Sequence, residues 1–268
     1  MTWSKKTYLV LKLDNIAFPD IQDLHADFKR ELTGNSRCKY STNLVQTYCI
    51  SIRGAFLPKK TLVLGPEDVQ KIACIVNGKH VVAGTTKLRQ KSFLREFLNE
   101  LTCGNEIQTI NLVVWSNPEM AANSSLFLPM AQQATSGHFV AINIDVSSKK
   151  LKLFDTQKST SFANSNFFDR KMIMDPCNAI FQTFNQSRSH SLFDTYICTK
   201  TPQISLECGV YACTNALILS MYTPALLESL HIIGYDHYFI AQMKKLHALT
   251  ILLQNPGCQY IKIENKKP

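Results

Sequence analysis

The sequence predicts an α+β fold in which a central mixed sheet is packed by helices and a cysteine stands at a helix N-terminus. Three stretches carry that expectation. HFVAINID and KLKLFD each alternate in polarity and flank the turn Val146-Ser147-Ser148-Lys149, the pattern of a β-hairpin. The polar lead-in PQISLE gives way at Cys208-Gly209 to an apolar run with helical spacing, which places Cys208 in the first turn of a buried helix. Upstream, helix patterns alternate with short apolar runs of strand length.

Composition bounds what such a fold can do. At 268 residues and 45% hydrophobic, the chain can bury a full core without staples. Its nine cysteines are scattered, odd in number and without a C-x-x-C pair, and no apolar signal segment opens the chain. That usage suits a reducing cytoplasmic or nuclear setting, or a host cytoplasm if the protein is a secreted effector. The net charge of +9 favours an acidic partner, yet the basic residues fall in dispersed pairs such as Lys59-Lys60 and Lys149-Lys150, the pattern of a solvated surface. Nucleic-acid contact is permitted by the charge and supported by nothing else. The longest apolar run, Cys208 to Met221, is shorter than the roughly 20 residues of a membrane span, so a soluble protein is expected.

Taken in order, residues 1–57 read as an N-terminal elaboration and 58–268 as the main domain. TYLVLKL has strand composition, DIQDLHADFKREL reads as an amphipathic helix and LVQTYCISI, from Leu44 to Ile52, as a second strand. Pro66-Glu67-Asp68 begins a helix with proline and acids in its first turn. QKSFLREFLNEL then spaces Phe93, Phe97 and Leu101 on one helical face. INLVVW and SLFLPM are strand-length apolar runs ahead of the hairpin. FDRKMIMDPCNAIFQTF reads as a helix that Pro176 should break or kink, LFDTYICT as a strand, and Tyr235 to Gln254 as the last helix.

The hairpin carries chemistry at its open end. His138 begins one strand and Asp155 ends the other, seventeen positions apart (155 − 138), and a turn centred near residue 147 pairs positions summing to about 293, which sets the two opposite each other. An aspartate beside an imidazole fixes its tautomer and stabilises the imidazolium, so that the other nitrogen can take a proton from a thiol. Cys208 at a helix start is such a thiol, beside N–H groups and a dipole that favour anionic sulfur and oxygen, while Gly209 leaves one flank of the sulfur bare for a substrate backbone. Each residue alone has a plainer reading: Cys208 as one more buried thiol, as expected of Cys213, His138 as a core histidine, and Asp155 as an ordinary strand end. Their conjunction in order and at these separations favours catalysis. The other histidines form no metal constellation, and no cofactor is expected.

The set GHFVAINID, KLKLFDT, a glutamine shortly before E-C-G, and ECGVYAC resembles the Ulp/SENP-type, adenain-like cysteine peptidases, which include SUMO and NEDD8 proteases and bacterial effector deubiquitinases. The resemblance spans about Leu62 to Leu253. It implies a papain-like/adenain-like fold, with His138 as general base, Asp155 as its orienting acid, Cys208 as nucleophile and Gln203 as side-chain oxyanion donor. It also implies that Gly137, Phe139 and Gly209 line the path of the substrate tail, with Phe139 in place of the usual Trp and Glu207 in place of the usual Asp before Cys-Gly. The partner implied is ubiquitin, SUMO or NEDD8 and its conjugates. The same order of His, acid and Cys also occurs in YopJ-type acetyltransferases and viral adenain-like proteases, and a noncatalytic binding module could keep the fold.

Overall fold

The computed structural model describes residues 8–13, 26–33, 39–77, 87–116, 138–156, 170–185, 192–198, 207–233, 237–254, 256 and 261–266. Strands β2 (Thr61–Leu64), β3 (Thr109–Ser116), β4 (His138–Asp145), β5 (Lys150–Asp155) and β6 (Phe193–Cys198) form a mixed sheet in the order β2-β3-β4-β5-β6. The β2/β3 and β5/β6 pairs are parallel and the pairs between them antiparallel. Strands covered by helices on both faces need apolar side chains on both, which is why TLVL on the edge strand β2 and INLVV on β3 read as continuous runs.

One face carries Leu62, Leu64, Ile110, Leu112, Val140, Ile142 and Leu153 against α3 (Pro66–Val76), α4 (Lys87–Thr102) and α5 (Arg170–Asn185). The other carries Val63, Val113 and Phe139 against α2 (Thr42–Phe56), α6 (Cys208–Met221) and α8 (His237–Leu253). Helix α6 is the middle of this second layer: every residue from Cys208 to Ser220 is buried. Its register on the sheet is pinned by a polar ladder inside the core. Asn143 Nδ2 donates to Asn111 Oδ1 at 2.8 Å, Asn111 Nδ2 donates to Ser220 Oγ at 2.9 Å, and Ser220 donates to the Ala216 carbonyl. A short helix α1 (Ala26–Thr33), helix α7 (Pro224–Ile233) and an antiparallel pair of β1 (Tyr8–Leu13) with β7 (Ile261–Lys266) complete the described elements.

Most expected elements stand where the sequence puts them; the exceptions have physical causes. LVQTYCISI is helical, not extended. Its β-branched and aromatic content suggests a strand, but Leu44, Val45, Tyr48, Cys49, Ile52 and Phe56 recur at helical spacing and all are buried, and Ser41 caps the helix by accepting from Leu44 N. Burial of one face outweighs β propensity. Pro176 does not break α5, because Ile173, Cys177, Ile180 and Phe181 hold a single buried face through it. SLFLPM and DIQDLH lie outside the described residues. Strands β2 and β7 and helix α7 were not foreseen. Among the described residues no helix is long and apolar enough to cross a membrane.

Helix α2 belongs to the core that holds Cys208, so a division of the chain at residue 57 runs through packed side chains. Asp68 ties the two sides together, accepting from Gly65 N, Gln46 Nε2 and Arg53. Leu44→Ala is expected to cost about 2–5 kcal/mol in urea unfolding, the range for truncating a fully buried leucine, and removal of residues 1–57 to abolish cooperative unfolding. A truncated chain that melts like the intact one would count against this packing.

Candidate active site

Strand β4 begins at His138 and β5 ends at Asp155, so both side chains stand at one end of the sheet. Register pairs Ala141 with Phe154 and Asp145 with Lys150, sums of 295 and not the expected 293. His138 and Asp155 are therefore diagonal neighbours and not directly opposed. An offset of two keeps both on the same face, where an offset of one would have separated them. His138 Nε2 lies 2.6 Å from Asp155 Oδ1, with the side chains 0% and 1% exposed.

Such burial demands that the charges satisfy each other. Burial pulls the His138 pKa down, but the Asp155 hydrogen bond, the neighbouring Cys208 sulfur and the charges of both outweigh it and raise it to about 9. With Asp155 on Nε2, Nδ1 is the ring nitrogen left to exchange a proton with the thiol. Cys208 reaches this imidazole from the first position of α6, 7% exposed, where the first-turn N–H groups have no intrahelical acceptor. The arrangement joins a thiol, an imidazole and a carboxylate at a helix N-terminus, the parts needed for acyl transfer through a thioester.

The remaining predicted residues divide. Gly137 and Gln203 lie outside the described residues. Phe139 is buried and its ring packs 6.4 Å from that of Trp115, on the α6 side of the sheet, because neighbouring strand residues alternate faces. Gly209 is not a bare flank: a Cβ there would sit 2.6 Å from Tyr40 Cβ and 3.4 Å from Phe139 Cδ2. Both residues pack beside the turn that carries Cys208. Tyr40 is a site residue that the sequence reading missed. Its hydroxyl meets His247 Nδ1 at 3.1 Å, and His247 Nε2 lies 3.5 Å from Thr214 Oγ1. Burial holds His247 at about 3, so it is neutral and accepts from Tyr40. The signal was the isolated buried-face pattern of Tyr40, Leu44 and Tyr48, which reads as helix only once the strand assignment is given up. Among the described residues no cluster could hold a metal ion.

A sequence profile of the Ulp1 protease family, C-terminal catalytic domain, matches residues 85–248. No curated protein sequence matches the chain. Among solved structures, the SUMO protease Ulp1 with its catalytic cysteine oxidised to a sulfinic acid is similar, with a TM-score of 0.56 at 13% identity over 86% of this chain and 83% of that one. The C-terminal Ulp1 protease domain in complex with Smt3, the yeast ortholog of SUMO, superposes with a TM-score of 0.54 at 15% identity, covering 94% and 90%. ChlaDub1 from Chlamydia trachomatis gives 0.48 at 13% identity, covering 83% and 94%. At these identities the likeness to the two Ulp1 structures speaks for the fold.

Two measurements test the geometry. Because His138 is raised in the folded chain, its contribution to stability is complete below its ordinary value of 6.5 and is lost as pH rises through about 9. The fall in Tm between pH 6.5 and about 9.5 should shrink in Asp155→Asn, whereas an equal fall would place the carboxylate elsewhere. Gly209→Ala should destabilise the chain by about 1–3 kcal/mol in chemical denaturation, since Tyr40 Cβ cannot give way without its backbone.

Proposed function

Because the chain belongs to the Ulp1 protease family and is a cysteine peptidase, we propose that it cleaves after the C-terminal glycine of a ubiquitin-like modifier. The observation that supports this reading best is the buried His138–Asp155 hydrogen bond with Cys208 beside it at a helix start. Cys208 sulfur attacks the glycine carbonyl carbon, and the negative charge that develops on oxygen is met by the first-turn N–H of α6 and by Gln203. Protonated His138 gives its proton to the departing amine as the C–N bond breaks. Water, deprotonated by the same imidazole, then attacks the thioester, freeing the modifier's carboxylate and returning the thiol. Asp155 holds the ring and its charge throughout.

Family membership and charge both support a ubiquitin-like modifier as the substrate. SUMO is the partner named for one structural neighbour, and a chain of net charge +9 suits an acidic surface on such a protein. Gly137, next to the base, is the proposed contact for the substrate tail. Selection among modifiers is proposed for the N-terminal elaboration, residues 1–57, apart from the side chains it commits to the core, such as Leu32, Tyr40 and Leu44.

Vinyl-sulfone probes of SUMO, NEDD8 and ubiquitin test the reading in one panel. At least one should form a covalent adduct with the native chain, none with Cys208→Ala, and His138→Ala should slow adduct formation by roughly 10²-fold or more. A Cys208→Ala variant that still turns over substrate, or a native chain captured by no probe, would refute it.

A further inference from the structure

The residue before the nucleophile is a buried carboxylate. Glu207 is 4% exposed, immediately precedes α6, and its backbone carbonyl accepts the first helical hydrogen bond from Tyr211 N. Lys244, from α8, is equally buried, and its Nζ lies 3.9 Å from Glu207 Oε1. Three residues along α8, on the same helical face, His247 holds Tyr40, and Tyr40 closes over Gly209. Helix α8 thus grips both sides of Cys208, at Glu207 by charge and at Gly209 through Tyr40.

Among the described residues, the titratable groups around this turn are His138 and Asp155 on the sheet, Tyr40 and, beyond it, Glu31 on α1, Cys213 along α6, and Lys244 and His247 on α8. Tyr40 is kept protonated by burial and by the charges of Cys213, Glu31 and Glu207, and His247 is neutral. Of the groups named, protonated His138 and Lys244 supply the positive charge. His138 pairs with Asp155, and Lys244 is the described cation that faces the carboxylate one residue from the sulfur.

We propose that Lys244 and Glu207 form a positioning pair for the nucleophile, with Lys244 neutralising the carboxylate beside Cys208 and fixing the first turn of α6 to α8. Without the lysine, an uncompensated anion one residue from the sulfur opposes a second negative charge there. Without the glutamate, the lysine alone favours it. The two charges therefore act in opposite directions on the reactivity of one thiol, which a purely structural contact would not do.

The proposal rests on Cys208 being the nucleophile, and its test needs no modifier. Iodoacetamide alkylation of Cys208 in the full chain, followed by mass spectrometry across pH, is compared in native, Lys244→Met, Glu207→Gln, the double variant and Lys244→Arg. Lys244→Met should shift the alkylation midpoint up by about one pH unit, roughly tenfold slower below it, as expected for a nearby like charge. Glu207→Gln should shift it down, while the double variant and Lys244→Arg should return close to native. Single variants that shift the midpoint in the same direction, or not at all, would overturn the pair. If Lys244→Met does not fold, Glu207→Gln against the double variant carries the same sign test. Failure of the underlying reading looks different: native Cys208 would then alkylate no faster than the exposed Cys103, with no probe captured.

Discussion

The structure depends on a charge held where water cannot reach it. Asp155 and His138 are almost wholly buried at the mouth of a hairpin, and neither could remain there without the other. Everything around them serves that contact. The hairpin turn sets the register, the register sets the shared face, and the raised affinity of the imidazole for its proton follows from the carboxylate and the sulfur it meets. A peptidase site of this kind is assembled from strand ends, which the whole ladder holds in place.

The sulfur arrives from the other side of the sheet. Helix α6 is too apolar to lie at a surface and is enclosed by α2, α8 and the sheet, so its first residue is placed by packing along its entire length. This explains why α2 shares the core of the site while lying far from it in sequence. It also explains why glycine follows the cysteine: Tyr40 occupies the space that a side chain would need. Reactivity and stability are thereby coupled through the same first turn.

What was legible in the sequence was local or repeated. The hairpin, the helix starting at Cys208 and the helix at Pro66 were set by alternation, by a polar-to-apolar switch and by a proline in a first turn, all signals contained within a dozen residues. The conjunction of His138, Asp155 and Cys208 was readable because spacing within a hairpin is nearly a distance. What was missed depends on contacts far apart in sequence. Residues 44–52 carry strand-forming side chains on a helical period, and only the α6 and α8 surfaces decide between them. Nothing local tells which flank of a helix start is filled: Gly209 reads as bare in the sequence, and Tyr40, 169 positions before it (209 − 40), stands against it. The exact hairpin register differed by two, which left the face intact.

The ladder of Asn111, Asn143 and Ser220 has a consequence for how such a chain can diverge. Oily neighbours can be exchanged for one another almost freely as long as volume is kept, and a lineage can drift to low identity by that route alone. Three amide and hydroxyl groups that complete one another cannot be traded singly, since each lone replacement strands its partners. Drift in this interior should therefore be uneven, with the greasy positions wandering and this trio moving as a unit or staying put, so that the seat of the cysteine helix outlasts most of the residues around it.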